Sequence, residues 1–317
     1  MRTTRGSALL AVLWLSAALA AIAFALSTTV RGETERTSTA LDGLRAYYLA
    51  AGAIDRVAVE LLWSATTPGP RLIPVGARVV HYTFPSGDAD VEIIPDAAKL
   101  NVNRAPVEQL VRLMAALGID PQRATALAME IDQSRRPDPG APTLLDNLTP
   151  GSSFARPHAS FQEIEELLLL KGITPDVFYG TYTPAAGQTE GPRLIRSGGL
   201  ADCLTVYDSG PAVDANMAPP AVLAAVGLSP DAVMALMERR RAAPLTPQQL
   251  ADFTQGGIPL RVDGNSIVIL RATARLRLAN GKFSDLRRTV AEQLKFMPLG
   301  TEAPLHVLRW YDSAWSD

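Results

Sequence analysis

The chain has 317 residues, of which 47% are hydrophobic, so it is long enough for two or three domains and apolar enough to bury a substantial core. Its formal net charge of -2 argues against a nucleic-acid-binding protein that depends on bulk positive charge. The only cysteine, Cys203, excludes an intramolecular disulfide and is predicted to be a small buried hydrophobe. The three histidines are far apart in sequence and form no helical metal-binding pair.

The N-terminus consists of a short basic leader followed by an apolar run. The leader ends at Gly6 and contains two arginines, and the run extends from Ala8 to Leu26. Nineteen residues at about 1.5 Å each span roughly 28 Å, which is close to the thickness of a bilayer core. The positive-inside rule then places the N-terminus in the cytoplasm and the residues after Thr28 on the other side of the membrane.

A helical repeat continues beyond the apolar run. Mostly apolar residues recur at intervals of three and four, and no proline occurs before Pro68. The sequence therefore predicts one helix from about Ala8 to Trp63, apolar all round in its first half and amphipathic in its second. The repeating residues are Leu41, Leu44, Tyr48, Ala51, Asp55, Ala58 and Leu62.

A removable secretory signal is an alternative interpretation of the same N-terminus. Such signals combine a basic start, an apolar segment and small residues like those of the stretch Ala21–Ala25. The apolar run is long for a signal, however, and it passes directly into the predicted helix. The junction of Gly6 and Ser7 also precedes the run, whereas signal peptides are cut after it.

Two strands are predicted after the long helix and its linker. Residues 78–84 alternate between two faces, Pro85–Asp88 has the composition of a hairpin turn, and Ala89–Ile94 is the predicted partner strand.

Residues 98 to about 255 have a helical pattern that contains an internal repeat. Each unit has an apolar helical run, then a glycine, an aliphatic residue, a short polar residue and a proline. We expect the glycine to end one helix in a left-handed cap, the polar residue to cap the next helix, and the proline to fit its first turn. The three repeats are Leu117–Pro121, Lys171–Pro175 and Val226–Pro230.

The repeat units also have recognisable starts. The first and third units share the similar entrances Asn101–Pro106 and Asp214–Pro219. In the middle unit, Ser160 and Glu163 are predicted to form a capping box. The segment is therefore predicted to be an all-α domain of helical hairpins.

Strands return in the C-terminal part of the chain. Ser266–Leu278 and Phe283–Phe296 are predicted strands on either side of an Asn-Gly hairpin turn, and His306–Trp310 is a predicted edge strand. The fold class is α+β: a long N-terminal transmembrane helix and an antiparallel sheet that is interrupted by an all-α insert.

The chain resembles the K-type minor pseudopilins of bacterial type II secretion systems. The resemblance covers nearly the whole chain and rests on the leader ending in Gly6, the apolar helix, the entrance Lys99–Ala105, the pair Thr205-Val206 before the second entrance, and the late strands. The domains implied are a leader at 1–6, a long helix at 7–66 with its membrane part at 8–26, a pilin-like head at 67–97 and 261–317, and the helical insert at 98–260.

Processing of the N-terminus follows from the resemblance. It implies cleavage by a prepilin peptidase after Gly6, which leaves Ser7 as the new N-terminus and as a candidate for N-methylation. Most pseudopilins have Phe in place of Ser7 and Glu in place of Ala11, and K-type members typically lack that Glu. A carboxylate in lipid is costly unless it meets a partner, so a subunit with no subunit above it has no use for one.

Calcium sites in the inserted domain are also known from this family. The chain has Asp132 where the family commonly has a denser acidic run, with Asp138 and Asp146 nearby. Calcium requires six to eight oxygen ligands, so this thinned cluster makes these three residues weak calcium candidates, with a plain solvated loop as the alternative.

The resemblance predicts a non-enzymatic subunit of the type II secretion pseudopilus. It would lie in the bacterial inner membrane with its head in the periplasm, would contact the I- and J-type minor pseudopilins and other pseudopilin helices, and would initiate or cap the filament at its tip. No nucleic acid and no cofactor other than calcium is implied.

Two other classes of function are weighed against this one. The hairpins resemble those of helix-hairpin-helix DNA-binding proteins, some of which act in DNA uptake, but the second glycine of that motif is replaced by Asp120, Thr174 and Ser229. The basic run Arg239–Arg241 is predicted to be a solvated helix end. An enzyme is disfavoured because the sequence contains no nucleophile elbow, zinc-binding His-Glu-x-x-His or phosphate-binding loop.

Overall fold

The computed structural model describes residues 5–66, 69–136, 160–184, 194–207, 210–262, 266–297 and 300–314. Its α-helices are α1 (Arg5–Thr66), α2 (Val107–Ala116), α3 (Pro121–Arg135), α4 (Pro175–Tyr179), α5 (Leu200–Cys203), α6 (Pro220–Ala225), α7 (Pro230–Ala242) and α8 (Pro247–Leu250). Its strands are β1 (Val79–Phe84), β2 (Gly87–Pro95), β3 (Leu100–Asn101), β4 (Tyr182–Pro184), β5 (Leu194–Arg196), β6 (Leu204–Thr205), β7 (Val213–Asp214), β8 (Leu260–Arg261), β9 (Ile267–Arg277), β10 (Phe283–Phe296) and β11 (Leu305–Tyr311).

Helix α1 is a single element of 62 residues, about 93 Å long at the standard rise. Its N-terminal half is long and apolar enough to cross a membrane, and none of the most apolar 18-residue window is buried within the chain. Large side chains such as Trp14 and Phe24 are exposed there. Its C-terminal half packs on a sheet, so one helix joins two different surroundings.

The sheet has five antiparallel strands in the order β1-β2-β9-β10-β11. Strand β2, which precedes the insert, pairs with β9, which follows the insert. The pairing runs from Gly87 opposite Leu276 to Pro95 opposite Val268, so the sheet is continuous across the point of insertion. The predicted turn Pro85–Asp88 is too long, because β2 already begins at Gly87. A Cβ at Gly87 would lie 2.1 Å from the carbonyl oxygen of Arg275, so only glycine lets the two strands pair this closely.

Small residues allow α1 to lie close against this sheet. Ala46, Ala50 and Ala53 are fully buried on the helix, and Ala272 and Ala274 are fully buried on β9. Ile54, Val57, Leu270 and Leu294 fill the same core.

A polar contact holds the C-terminal part of α1 to strand β1. The Tyr82 hydroxyl donates to Glu60 Oε2 at 2.6 Å, Arg56 Nε donates to Glu60 Oε1 at 2.9 Å, and the Arg56 guanidinium lies 4.4 Å from the centre of the Tyr82 ring. This contact orients the helix on the sheet as well as stabilising it.

The segment from Ala98 to Leu260 forms a second hydrophobic core that is separate from the core under α1. Its first and third hairpins, α2-α3 and α6-α7, lie against each other, and the Arg112 side chain donates to the carbonyl oxygen of Ala225 at the end of α6. Each of these hairpins is preceded by a short strand, β3 or β7, that pairs in parallel with a strand after the hairpin, β6 or β8. The insert is therefore not the purely α-helical domain that was predicted.

The two entrances of these hairpins repeat the same hydrogen bonds. The Asn103 side chain accepts from the Phe161 N–H at 2.7 Å and donates to the Phe161 carbonyl at 2.9 Å. The Asn216 side chain accepts from the Leu245 N–H at 2.7 Å and donates to the Leu245 carbonyl at 3.2 Å. The internal repeat seen in the sequence is therefore also a repeat of side-chain chemistry.

The middle unit differs from the predicted helical hairpin. Its apolar run forms a 3-10 helix at Ile164–Leu169 in place of an α-helix. The predicted capping box of Ser160 and Glu163 is also wrong, because the Glu166 carboxylate accepts from the Glu163 N–H at 2.9 Å and the Glu163 carboxylate is bound to Arg309 of β11.

Replacement of Asn216 tests the repeated entrance. Asn216→Ala leaves the buried N–H and carbonyl of Leu245 without a partner, so we expect it to lower the free energy of unfolding by about 2–4 kcal/mol. Urea unfolding of the full chain in detergent measures this loss. Asn280→Ala, which removes one exposed turn contact, is the matched control; equal losses for the two variants would contradict the prediction.

Candidate functional site

The residues of the predicted cleavage site lie at the start of α1. The helix begins at Arg5, so Gly6 and Ser7 belong to its first turn and precede the apolar span. A peptidase that cuts between them would leave the whole apolar span on the chain.

The surface of α1 that faces away from the sheet carries exposed apolar side chains. Residues separated by three, four or seven positions share this face. Tyr48 is 65% exposed, and the other large members are exposed to a similar extent. The face comprises Leu41, Leu44, Tyr48, Val59 and Trp63, and we call it the outer stripe of α1.

The hairpin turns are built as predicted at their glycines, and in the first turn an aspartate already caps the N-terminus of the next helix. Gly118, Gly172 and Gly227 all have positive φ angles. Asp120 accepts from the N–H groups of Gln122 and Arg123, at 3.0 and 3.2 Å. A phosphate would need these same N–H groups, so this turn is unsuited to binding nucleic acid.

The other two turns differ from each other: Ser229 caps its helix, whereas Thr174 does not. Ser229 accepts from the Ala232 N–H at 3.3 Å. The predicted side-chain cap by Thr174 is wrong, because its hydroxyl makes no cap hydrogen bond and instead receives Arg123 Nη2 at 3.4 Å.

The prediction that Arg239–Arg241 is a solvated helix end is wrong for Arg240. Its Nη1 donates to the carbonyls of Ala215 and Ala218 at 2.9 and 2.8 Å, which closes the second entrance. Burial and the nearby Arg78 lower its pKa to about 10. Periodicity alone cannot distinguish such an arginine from a solvated one.

Asp132, the calcium candidate that lies within the described residues, is paired with two arginines. Asp132 Oδ1 lies 2.6 Å from Arg135 Nη2, and Asp132 Oδ2 lies 2.6 Å from Arg136 Nη2. Asp138 and Asp146 lie outside the described residues. Within the part of the chain that the structure describes, no three His, Cys, Asp or Glu side chains are grouped as metal ligands.

Cys203 is buried, and burial raises the pKa of its thiol to about 12. The thiol is therefore protonated at neutral pH, which agrees with the predicted buried hydrophobe.

A cleft of about 410 Å³ lies where the insert meets the head. Its lining includes Leu61 and Ser64 of α1 and Asp214, Asn216 and Met217 of the second entrance. The Arg78 side chain crosses this boundary and donates to the carbonyl of Met217 at 3.0 Å. The insert therefore sits at the end of the sheet where α1 also ends.

A buried carboxyl under α1 was not identified from the sequence. Glu292 of β10 is 6% exposed, and burial together with the Asp55 carboxylate raises its pKa to about 7. No side chain in the described structure forms a hydrogen bond or ion pair with it. Neither hydrophobic periodicity nor motif spacing signals such a position.

Glu292 should make stability depend on pH. Because its folded pKa lies above the ordinary value of 4.5, the folded chain holds a proton that the unfolded chain releases, and stability falls as pH rises from about 4.5 to about 7. The loss is up to about 3 kcal/mol. Glu292→Gln should flatten this decline, as measured by urea unfolding at several pH values.

The control for this experiment is Asp231→Asn, which alters an exposed carboxylate on α7. It should leave the decline unchanged. An equally steep decline in Glu292→Gln would show that another group causes it.

The chain is similar in structure to a solved protein. A chain of the GspK-GspI-GspJ complex from the type 2 secretion system of enterotoxigenic Escherichia coli matches it with a TM-score of 0.52 and 15% sequence identity, covering 89% of this chain and 100% of that chain. No protein-family model and no curated protein sequence matches. The predicted α+β fold class is confirmed, and the resemblance stated from the sequence holds at the level of the fold.

Proposed function

We propose that the chain is a minor pseudopilin of a type II secretion system and acts as a structural subunit. The observation that carries this proposal is helix α1, which joins an exposed apolar span to a helix-packed sheet in one uninterrupted element. Such a subunit is held in a membrane by the first half of the helix while its head folds in the aqueous phase. The fold shared with the GspK-GspI-GspJ complex supports the same function.

We place the subunit at the tip of the filament because of where the insert lies. Strand β2 leads into the insert and β9 leads out of it at the end of the sheet beside the C-terminus of α1. That end is the one farthest from the membrane span. A helical domain there blocks the position that a following subunit would take, and Ala11 supplies no carboxylate for a subunit above.

We propose that its partners are the I- and J-type minor pseudopilins and other pseudopilin helices. A solved chain with a similar fold belongs to a complex of GspK, GspI and GspJ. The outer stripe of α1 offers exposed apolar area on a face that the sheet leaves free, and apolar faces of this kind mark sites of protein association. This assembly, and not a chemical reaction, would initiate or cap the filament.

The proposed location is the bacterial inner membrane, with the N-terminus in the cytoplasm and the head in the periplasm. The two arginines of the leader support this orientation. Cleavage after Gly6 by a prepilin peptidase, with methylation of Ser7, would precede assembly.

The first test is the N-terminus of the membrane-extracted protein, with and without a co-expressed prepilin peptidase. We expect a peptidase-dependent product that begins at Ser7 and keeps the apolar span, detected by intact mass and N-terminal sequencing. Gly6→Leu should block the cut.

Ala23→Leu is the matched control, since it alters the site that a signal peptidase would use. It should leave the product unchanged. A product that begins near Phe24 or Ser27 would refute the processing that we propose. An uncleaved chain that still begins at Met1 when the peptidase is present would refute it as well.

A bound calcium ion is not part of this proposal, because Asp132 is paired with two arginines. We expect the melting temperature of the full chain to be the same in about 1 mM calcium and in excess chelator. If calcium instead raises the melting temperature of the wild type, and no longer does so in the Asp138→Asn and Asp146→Asn variants, these residues belong to a calcium site.

A further inference from the structure

The face of the sheet that points away from α1 carries three arginines at one end. Strand β9 alternates between residues of the core under α1, such as Ala274 and Leu276, and residues of this outer face. Arg275 and Arg277 therefore belong to the outer face. Arg287 of β10 lies directly opposite Arg275 and shares its face. We call Arg275, Arg277 and Arg287 the arginine patch.

One aromatic ring brings two of these arginines together. Phe283 of β10 pairs with Arg277 in the sheet. The Cζ atom of Arg277 lies 4.7 Å from the centre of the Phe283 ring, and the Cζ atom of Arg275 lies 5.6 Å from it. Contact with an aromatic ring orients a guanidinium group while its N–H groups can still bind an anion.

The positive charge of the arginine patch is only partly balanced within the described residues. Asp88 of β2 lies opposite Arg275 but accepts from Arg277 Nη2, at 2.9 Å. Arg275 itself makes two long contacts, both of 3.4 Å, to the carbonyl oxygen of Ser284. Arg287 is exposed and has no described side-chain contact.

The arrangement of these arginines does not favour the isolated fold. Arg275 and Arg287 occupy directly opposed positions of the β9–β10 ladder, where like charges destabilise a sheet. Residues 275–288 contain five basic residues and one acidic residue, Asp285, although the net charge of the whole chain is -2. The sheet gains nothing from this pair, which favours an anion from outside the chain as its partner.

The arginine patch lies at the end of the head that is nearer to the apolar span, and the cleft beside the insert lies at the other end of β9. A Cβ on Gly87 would lie 2.9 Å from both Leu276 Cα and Leu49 Cδ2, so these residues are at one level. Helix α1 rises about 35 Å between Leu26, where the apolar run ends, and Leu49. The β9–β10 turn extends roughly 13 Å from this level toward the span. With α1 upright, about 15 Å then separate the turn from lipid headgroups.

We propose that the arginine patch binds an aspartate or glutamate side chain of a neighbouring pilin-like subunit. This inference rests on the proposed function, because it names the chemistry by which one partner is recognised. A guanidinium group matches a carboxylate in shape and charge and binds it through two N–H groups. Because the patch lies on the opposite side of the head from α1, it and the outer stripe of α1 can contact two neighbours at the same time.

The surroundings of the arginine patch distinguish this occupant from other anions. Asp90 is next along the outer face of β2, and its side chain is 60% exposed. A nucleic acid presents a row of phosphates, which this carboxylate would repel. Lipid headgroups lie farther away than the Debye length of about 8 Å at physiological salt. A single carboxylate on a protein surface meets neither obstacle.

The binding test titrates the purified full chain with the I- and J-type subunits in a neutral detergent. Arg287→Glu places a like charge against the partner carboxylate, so the affinity should fall by at least about tenfold. Arg287→Gln should weaken binding less and should make the affinity less sensitive to salt. Lys295→Glu is the matched control, because Lys295 is an exposed cation near the other end of the same strand. It should bind as the wild type does.

The melting temperature of the isolated chain separates a docking role from a structural one. Arg287→Gln removes the like-charge pair with Arg275, so its melting temperature should equal or exceed that of the wild type. A lower melting temperature would show that Arg287 supports the fold, and it would overturn the docking role.

Cross-linking of the complex identifies the bound group. Arg287→Lys keeps the positive charge and supplies a primary amine, which a carbodiimide joins to a carboxylate in contact. The product is an amide, and the carbodiimide takes up the water that is lost and becomes a urea. We expect mass spectrometry to find the amine at position 287 linked to an aspartate or glutamate of a partner subunit, with Lys295 unlinked.

The outcomes separate this inference from the proposed function. If the wild-type chain binds neither subunit, the proposed partners are wrong and this inference fails with them. If the wild type binds while Arg287→Glu binds equally well, the partners stand and the docking site is refuted. An effect of Arg287→Glu that appears only in bilayers with anionic lipid, and not in neutral detergent, would identify a lipid headgroup and would also refute it.

Discussion

The structure depends on one helix that meets two different surroundings without a break. The first half of α1 exposes apolar side chains on every side, as lipid requires, and the second half buries one face against the sheet. Alanines on both the helix and β9 bring the two backbones close, so the sheet is fixed directly on the continuation of the apolar span. Any force on that span would therefore be transmitted to the head through a packed core and not through a flexible linker.

The insert is attached to the sheet through a buried polar junction. Asp96 is buried where β2 ends, and its two oxygens accept from Thr205 of the insert and Gln293 of β10, at 2.7 and 2.8 Å. One carboxyl group thus ties the first strand pair of the insert to the sheet. Because Arg78 makes a separate bond across the same boundary, the insert is held at more than one point. This attachment keeps it over the membrane-distal end of the head, which is the geometry that the proposed tip position requires.

Elements defined by periodicity and turn chemistry were predictable from the sequence. The long helix, the paired strands around Asn280-Gly281 and the duplicated entrances all follow from local patterns, and they lie where these patterns place them. The 3-10 helix of the middle unit was not predicted, and neither was the contact of Glu163 with Arg309, which joins residues far apart in sequence. The burial of Arg240 was missed for the same reason, since its acceptors lie on a separate entrance. Spacing along the chain carries no information about such partners.

The fold accommodates the two buried carboxyl groups of the head in different ways. Asp96 has a donor on each oxygen, so its burial is compensated within the chain. Glu292 has no such donor in the described structure, and the nearby Asp55 makes its ionised form less favourable still. The Glu292 oxygens are nevertheless not among the described side-chain atoms that are both fully buried and without a partner, so they keep some contact with solvent. Solvent therefore compensates in part for the polar group at position 292, whereas donors within the chain compensate for Asp96.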